Sequence, residues 1–269
     1  MREDSMEIID LSKEYEDTYC KCLEDWSEEM GEAGDYKKVW LEKKKPQGLR
    51  VKLARNERGQ IVGMIQYIPI EYAPVIGKKL YYIYCIWVHG HKKGVGNCQG
   101  RGTGELLLEA AERDCRESGA AGIAAWGIML PFFMRSSWFK KHGYKRADRR
   151  GMIELVWKPF CGEAEAPRLL RMKKRPAAQE GVPTVRCFRS GWCPAQNLSC
   201  ERMKRAAGEY GDGIRVMEID TEVKENLDEW GISDAIFVDE KEINTGPPPS
   251  YEKLQRLLRK KMKRYDKTI

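Results

Sequence analysis

The stretch that most constrains the fold is a glycine-rich run, Gln99-Gly100-Arg101-Gly102-Thr103-Gly104. An aromatic and apolar stretch, 81–88, precedes it, and a stretch with helical spacing, 105–118, follows it. Three glycines in five positions let the backbone approach a ligand closely, since glycine has no Cβ and tolerates positive φ. A helix that begins near Gly102 leaves its first N–H groups unpaired and carries partial positive charge there. The run therefore predicts a strand, a tight turn and a helix whose N-terminus binds an anion, with pyrophosphate as the favoured ligand.

The spacing of the glycines discriminates between phosphate ligands. A dinucleotide fingerprint that starts at Gly100 requires glycine at position 105, where glutamate stands, and a P-loop requires Gly-Lys followed by Ser or Thr, which is missing. What remains is Gln-x-x-Gly-x-Gly between a strand and a helix, which resembles the acetyl-CoA pyrophosphate motif of the GNAT superfamily of N-acetyltransferases. The resemblance implies acetyl-CoA as co-substrate, bound by Gln99, Gly100, Arg101, Gly102, Thr103 and Gly104. A tight turn without a ligand is the alternative.

The order of the surrounding elements is similar to that family over residues 6–158. Apolar periodicity predicts strands at 6–10, 49–55, 60–70, 79–88, 121–128 and 151–157, and helices at 14–26, 35–44, 105–118 and 133–142. We therefore expect a GNAT acetyltransferase domain with a mixed sheet over residues 1–161.

A second pattern follows a segment, 162–182, that is interrupted by prolines and holds a basic run, and we predict a linker there. Beyond it we predict strands at 184–189, 214–219 and 235–238 and helices at 193–210, 223–230 and 250–265. These elements, with Gly191-Trp192-Cys193-Pro194 where such a fold places its reactive thiol, resemble a small thioredoxin-like domain, here 183–269. The expected fold class is α/β, a mixed-sheet GNAT domain followed by a thioredoxin-like α/β domain.

Two departures weaken the redox interpretation of the second domain. Gln196 stands where a C-x-x-C motif has its second cysteine, and Cys200 lies about 10 Å further along a helix, too far for a disulfide. The usual proline before the next-to-last strand is also absent, since Ile232-Ser233-Asp234-Ala235 stands there. We interpret this half as a recognition or covering module, with Cys193 either reactive or an inert thiol.

Composition and charge favour a cytoplasmic protein. Residues 2–5 are polar or charged with no apolar signal core behind them, so the nine cysteines are expected to be reduced, and the cysteines form no metal signature. The net charge of +7 is concentrated in the last helix, beside an apolar stripe at Leu254, Leu258, Met262 and Tyr265. We therefore interpret the basic residues as the solvated face of a packed helix and disfavour nucleic acid as a partner. No membrane span is visible, and a homodimer is left open.

For catalysis, the resemblance implies that the pantetheine arm lies between two parallel strands that splay apart, 79–88 and 121–128. A backbone N–H at Trp87 or Val88 would stabilise the oxyanion while a small-molecule or peptide amine attacks directly. The position of the family's tyrosine acid holds Phe139, and that of an asparagine that helps hold CoA holds Phe132. Proton transfer is left with weak candidates, Glu71, Tyr84, Cys85 and Ser137.

The acceptor site is less well defined. Four tryptophans could line it or belong to the core: Trp26, Trp40, Trp126 and Trp138. An acidic group could attract a cationic amine or be an exposed face: Glu28, Glu29, Glu32 and Asp35. The histidines, His89, His91 and His142, are assigned no role.

Three functional hypotheses follow. The first is an acetyl-CoA-dependent N-acetyltransferase. The second is a CoA-binding regulatory or interaction protein with weak catalysis, motivated by Phe139 and Phe132. The third is a thiol-disulfide oxidoreductase, motivated by Cys193 and disfavoured by Gln196.

Overall fold

The computed structural model describes residues 6–131, 133–179, 181–243 and 247–265. The backbone divides into two compact units. The first unit comprises Met1–Trp26 and Leu41–Leu170, and the second comprises Ser27–Trp40 and Arg171–Ile269.

The regular elements have the following bounds within the described residues. The strands are β1 (Glu7–Asp10), β2 (Arg50–Arg55), β3 (Ile61–Pro69), β4 (Val75–Ile76), β5 (Leu80–Val88), β6 (Gly122–Ile128), β7 (Lys145–Arg150), β8 (Ile153–Pro159), β9 (Arg168–Leu169), β10 (Thr184–Arg189), β11 (Arg215–Asp220), β12 (Ala235–Val238) and β13 (Lys241–Ile243). The α-helices are α1 (Glu16–Cys20), α2 (Glu28–Gly31), α3 (Tyr36–Lys44), α4 (Thr103–Glu117), α5 (Ser136–Lys141), α6 (Pro194–Gly208), α7 (Lys224–Trp230) and α8 (Tyr251–Tyr265).

The first unit is built on a seven-stranded sheet in the order β1-β2-β3-β5-β6-β8-β7. All neighbouring strands are antiparallel except β5 and β6, which are parallel, so the predicted mixed sheet is confirmed. Helix α4 buries Leu107 and Ala111, at helical spacing, in the same core as Ile83 and Ile123 of the sheet. Gly119 follows α4 with φ +75°, the left-handed conformation that commonly ends a helix.

The parallel strands β5 and β6 separate partway along their length. Their register partners run from Leu80 opposite Gly122 to Ile83 opposite Ala125 and go no further. At the same place the pairing of β5 with β3 skips Tyr84, which makes a β-bulge. Beyond the bulge, residues 85–88 of β5 are thus paired with β3 on one side and diverge from β6 on the other.

The second unit contains a four-stranded sheet in the order β11-β10-β12-β13. Strands β10 and β11 are parallel, and the other neighbours are antiparallel. Helices α6 and α8 share one core with this sheet, where Leu254 and Leu258 of α8 are buried. The predicted apolar stripe of the last helix is therefore packed at these two positions. A second core of this unit contains Phe188 of β10, whose ring contacts Trp230 of α7 with centroids 5.2 Å apart.

Two segments differ from the prediction. The helix expected over 14–26 ends at Cys20, because Cys22 and Leu23 adopt positive φ. The segment 162–182, predicted as a linker, contains β9, which pairs with β4, and the N–H of Lys173 donates to the carbonyl of Trp230. Its prolines prevent a long element but leave these local contacts possible.

The boundaries of the two compact units also differ from the predicted domains, since Ser27–Trp40 groups with the second unit. No helix in the described part of the chain is long and apolar enough to span a membrane.

Candidate functional site

The glycine-rich run forms the N-terminus of α4, as its sequence predicts. Gly100 and Gly102 have φ values of +76° and +78°, and a Cβ at either position would meet no atom within 4 Å. The N–H groups of Gly100, Gly102, Thr103 and Gly104 donate to no other described residue. The hydroxyl of Thr103 is buried and equally unpaired within the described residues. Unpaired donors, open space and the positive end of a helix thus coincide, which suits a bound anion.

Gln99 has a different part in this run. Its side-chain Nε2 donates to the carbonyl of Val88 over 3.0 Å, and its own N–H donates to Asn97 Oδ1 over 3.0 Å. A Cβ at Gly90 would lie 2.4 Å from Gln99 Nε2, so glycine at that position leaves room for the side chain. Gln99 therefore ties the start of the turn to the end of β5.

The bulge determines which backbone groups of β5 face β6. The bulge adds one residue to β5 and so reverses the alternation of its backbone groups: the odd-numbered residues that face β6 before it face β3 after it. After the bulge, the N–H of His89 donates to Val62, so odd-numbered residues face β3 and even-numbered ones face the open side. By this alternation the N–H of Val88 points toward the gap between β5 and β6, and that of Trp87 points toward β3.

Aromatic rings continue from the end of β5 across the mouth of this gap. We name them the aromatic row, in spatial order Trp26, His91, Trp87, Phe133 and Trp126. Successive ring centroids are 5.6, 6.0, 5.7 and 6.0 Å apart. At its far end, Trp126 Nε1 donates to the carbonyl of the bulge residue Tyr84 over 2.7 Å. The row therefore extends from the loop that follows β5 to the point where the two strands part.

Two of the three histidines have both ring nitrogens engaged in local contacts. His89 is fully buried, with Nδ1 2.7 Å from the Gly96 carbonyl and Nε2 accepting the indole N–H of Trp26. His142 Nδ1 lies 2.8 Å from the Trp138 carbonyl and its Nε2 lies 3.0 Å from Glu105 Oε1. His91 differs, because only its Nε2 has a partner within the described part of the chain, Glu24 Oε1 at 3.1 Å. Sequence reasoning singled out neither His91 nor Glu24, since they are 67 residues apart and belong to no motif.

The candidates for proton transfer are scattered. Glu71 accepts the N–H of Lys79 just before β5, about 30 Å along the strand from Val88 at 3.3 Å per residue, which is too far for proton transfer at Val88. Tyr84 and Cys85 are buried where the gap begins, and Ser137 is exposed on α5. The structure therefore does not gather these four side chains at the glycine-rich turn.

Phe139 is fully buried in the core of the first unit. Its ring contacts Trp138 and Tyr144, with centroids 5.1 and 5.3 Å away. No proton donor stands at this position, as the sequence indicates. Phe132, the other departure from the family pattern, lies outside the described residues.

Residues 27–40, expected near an acceptor, belong instead to the second unit. Glu29 and Glu32 form ion pairs with Arg202 at 3.4 and 3.5 Å, and Trp40 is buried. These acidic side chains are engaged with the second unit's own arginine, and Trp40 is a core residue.

Cys193 lies at the start of a helix in the second unit. Cys193 caps the N-terminus of α6, where Gln196 lies in the first turn. Asp234, directly before β12, accepts hydrogen bonds from Ser190 Oγ at 2.9 Å and Trp192 Nε1 at 3.2 Å. Burial raises the pKa of Asp234 above its usual range despite the lowering effect of these hydrogen bonds. Ser190 and Trp192, which precede Cys193, are thereby held to the start of β12.

Comparison with known proteins places the first unit in a family. The sequence profile of the acetyltransferase (GNAT) family matches residues 9–144, just over half of the chain. A Bacillus subtilis protein named "Uncharacterized N-acetyltransferase YoaP" is 26% identical over 195 residues, which cover 69% of this chain and 72% of that protein.

Solved structures show weaker similarity. A GNAT family acetyltransferase from Brucella melitensis in complex with acetyl-CoA is 16% identical with a TM-score of 0.41, over 60% of this chain and 92% of that one. The PaiA N-acetyltransferase from Thermoplasma acidophilum in complex with coenzyme A is 17% identical with a TM-score of 0.41, over 58% and 99% of the two chains. The family match confirms the prediction of an acetyltransferase: the chain belongs to the GNAT family of acetyltransferases.

Proposed function

We propose that this protein is an acetyl-CoA-dependent N-acetyltransferase that acts on an amine. The observation that carries the proposal is the set of unpaired donors at Gly100, Gly102, Thr103 and Gly104, at one end of the gap between β5 and β6. Family membership supports the same chemistry. When bound, acetyl-CoA supplies the activated acetyl group.

The residues present fit a pyrophosphate. Backbone N–H groups at a helix N-terminus bind anions without the cost of ordering a side chain, and the absence of Cβ atoms at Gly100 and Gly102 leaves the approach open. Arg101 adds a full positive charge beside these donors. The exposed edge of β5 beyond Ile83 can then pair with the amide groups of an extended pantetheine arm, as an edge strand pairs with a peptide.

The protein's part in acyl transfer is mainly backbone chemistry. The N–H of Val88 points into the gap and is the donor that we propose for the developing oxyanion. With Phe139 at the usual acid position, the sulfur leaves without a tyrosine proton. A thiol with a pKa near that of free cysteine, about 8.5, is a good leaving group near neutral pH, so a missing acid slows transfer more than it prevents it.

We further propose that residues 183–269 are a thioredoxin-like module without redox activity. The order β11-β10-β12-β13, with only β10 and β11 parallel, supports the fold. Gln196 and the contacts of Asp234 argue against the thiol-disulfide hypothesis. The second hypothesis, a CoA-binding protein with weak catalysis, is kept because of Phe139.

An assay of CoA thiol release tests the proposal. Acetyl-CoA is titrated into the full chain by calorimetry, and thiol release is then followed with a panel of primary amines, polyamines and peptide N-termini. We expect saturable binding and amine-dependent release. Binding without release for any amine would favour the CoA-binding hypothesis, and no binding would refute both.

A further inference from the structure

We infer that His91 is the proton acceptor for the attacking amine and that the aromatic row is the subsite that receives that amine as a cation. The inference rests on the proposed function, because it names a residue and a substrate class for the same site. It starts from the geometry of one side-chain pair, His91 and Glu24.

The partner of His91 fixes its tautomer. Glu24 can only accept a hydrogen bond when ionised, so the 3.1 Å contact with Nε2 requires the proton to be on Nε2. In the neutral ring the lone pair then lies on Nδ1, and Nδ1 has no hydrogen-bond partner among the described residues. A carboxylate that orients an imidazole and leaves its other nitrogen basic is the arrangement that general-base catalysis requires.

The other histidines fail this test. The carbonyl of Gly96 requires a proton on His89 Nδ1, and its Nε2 already accepts from Trp26. Both nitrogens of His142 face acceptors. His91 is also accessible, with 45% of its side chain exposed, whereas His89 is fully buried.

The position of His91 suits the reaction. Its ring is 6.0 Å from that of Trp87, whose neighbour Val88 directs its N–H into the gap. From there the aromatic row continues through Phe133 to Trp126 at the point where β5 and β6 part. An amine that lies along the row is thus held between the proton acceptor and the end of β5.

The chemistry of the subsite favours a cation. Aromatic ring faces attract ammonium groups, and the Glu24 carboxylate, only 17% exposed, adds an opposite charge. Within the described residues, the charged and titratable groups in contact with His91 or with the adjoining ring of Trp26 are Glu24, and His89 and Lys93 on the loop of His91; Lys92 is its exposed neighbour in the chain. Lys93 Nζ already lies 5.7 Å from the ring centroid of Trp26, so the faces that remain for a substrate are those of Trp87 and Phe133.

The proton balance is as follows. An ammonium group gives one proton to His91 Nδ1, and the freed lone pair of the amine forms the N–C bond with the acetyl carbonyl carbon. The C–S bond breaks with its electron pair on sulfur, and a second amine proton passes to that sulfur, so that an amide and a thiol are formed. His91 then returns its proton to solvent.

Carbethoxylation by diethyl pyrocarbonate, read by peptide mass spectrometry on the full chain, tests the inference without requiring turnover. We expect His91 to react at least about tenfold faster than buried His89, which serves as the internal standard. Benzyltrimethylammonium, a cation that cannot be acetylated, should slow the reaction at His91 and leave that at His142 unchanged. Absence of protection at His91 would overturn the amine subsite.

Kinetics with 2-phenylethylamine provide the second measurement. We expect His91→Gln to lower kcat by about 100-fold, typical of a lost general base, with acetyl-CoA affinity unchanged. Lys92→Gln, an exposed neighbour in the same loop, is the matched control and should keep full turnover. Unchanged kcat in His91→Gln, with acetyl-CoA still bound and transferred, would overturn the role of His91 alone.

Failure of the acetyltransferase proposal can be distinguished from failure of the amine subsite. If the full chain does not bind acetyl-CoA, the acetyltransferase proposal fails, while protection of His91 by the cation still decides whether an amine subsite exists. If the parent binds acetyl-CoA but does not acetylate 2-phenylethylamine, the same protection experiment decides for or against the subsite.

Discussion

The sharpest test of the acetyl-CoA site is the substitution Gly102→Asp. Gly102 faces open space beside the unpaired donors, so a carboxylate there projects toward the proposed position of the pyrophosphate. At an assumed separation of about 5 Å, Coulomb's law gives about 0.8 kcal/mol per charge pair in bulk water and about 3 kcal/mol at an effective dielectric constant of about 20. Two phosphate charges double these values. Even the bulk-water value at low ionic strength, about 1.7 kcal/mol, corresponds to more than a tenfold loss of affinity.

The chain offers a matched control at the other end of the same helix. Gly119 has φ +75°, close to the +78° of Gly102, and a Cβ there also meets nothing within 4 Å. Gly119→Asp therefore adds the same charge and a similar backbone strain of about 1 kcal/mol, roughly 25 Å away along α4. A difference in acetyl-CoA affinity between the two variants isolates the effect of charge at the proposed site.

The assay is a calorimetric titration of acetyl-CoA into the parent and both variants, after circular dichroism has shown that each is folded. We expect the Kd to rise at least tenfold in Gly102→Asp and by less than twofold in Gly119→Asp. Equal affinities in the two folded variants would refute the placement of the pyrophosphate at the N-terminus of α4.

Three further outcomes are expected. Phe139→Tyr should keep acetyl-CoA affinity. It should lose about 1 to 3 kcal/mol of unfolding free energy in urea titrations, since it puts an unpaired hydroxyl in the core. A raised turnover number would instead show that the ring reaches the leaving sulfur. Burial raises the pKa of Asp114, but hydrogen bonds from Arg50 and Tyr67 outweigh it and lower that pKa, so its stabilising effect is present above about pH 4 and lost at lower pH. Asp114→Asn should therefore cost about 1 kcal/mol at pH 7 and less as the pH falls below about 4, and a cost that does not change with pH would contradict this. The full chain should not reduce insulin disulfides above a control thiol, and turnover that disappears in Cys193→Ser would revive the redox hypothesis.

Strong local patterns made much of the fold predictable. The apolar spacing of 105–118 and the aromatic stretch 79–88 correspond to α4 and β5 within one or two residues. Strand β7 was missed because its sequence, Lys145 to Arg150, is almost entirely charged, which is common at a sheet edge where no side chain has to enter a core. Strand β13 has three residues, too few to show a period.

The proposed acceptor subsite was hidden for another reason. His91 and Glu24 meet only through the fold, and neither residue type at that spacing forms a motif. The tryptophans gave an ambiguous signal: Trp26 and Trp126 join the aromatic row, whereas Trp40 is buried in the second unit. Which aromatic residue enters a core and which lines a surface depends on backbone direction, and hydrophobicity alone does not report it.

The bulge at Tyr84 shows how one residue changes the chemistry of the site. Without the bulge, the alternation that precedes it would continue, odd-numbered residues would face β6 throughout, and Trp87 would direct its N–H into the gap. The extra residue reverses the alternation, so Val88 directs its N–H there instead. The same reversal keeps the side chain of Val88 on the side of α4, where its Cγ2 would lie 3.9 Å from a Cβ at Gly104, and turns the ring of Trp87 to His91. This bulge thus places the proposed oxyanion donor and the proposed amine subsite on two adjacent residues, Val88 and Trp87. Hydrophobic alternation along β5 cannot locate the bulge, because both faces of the strand are buried around it.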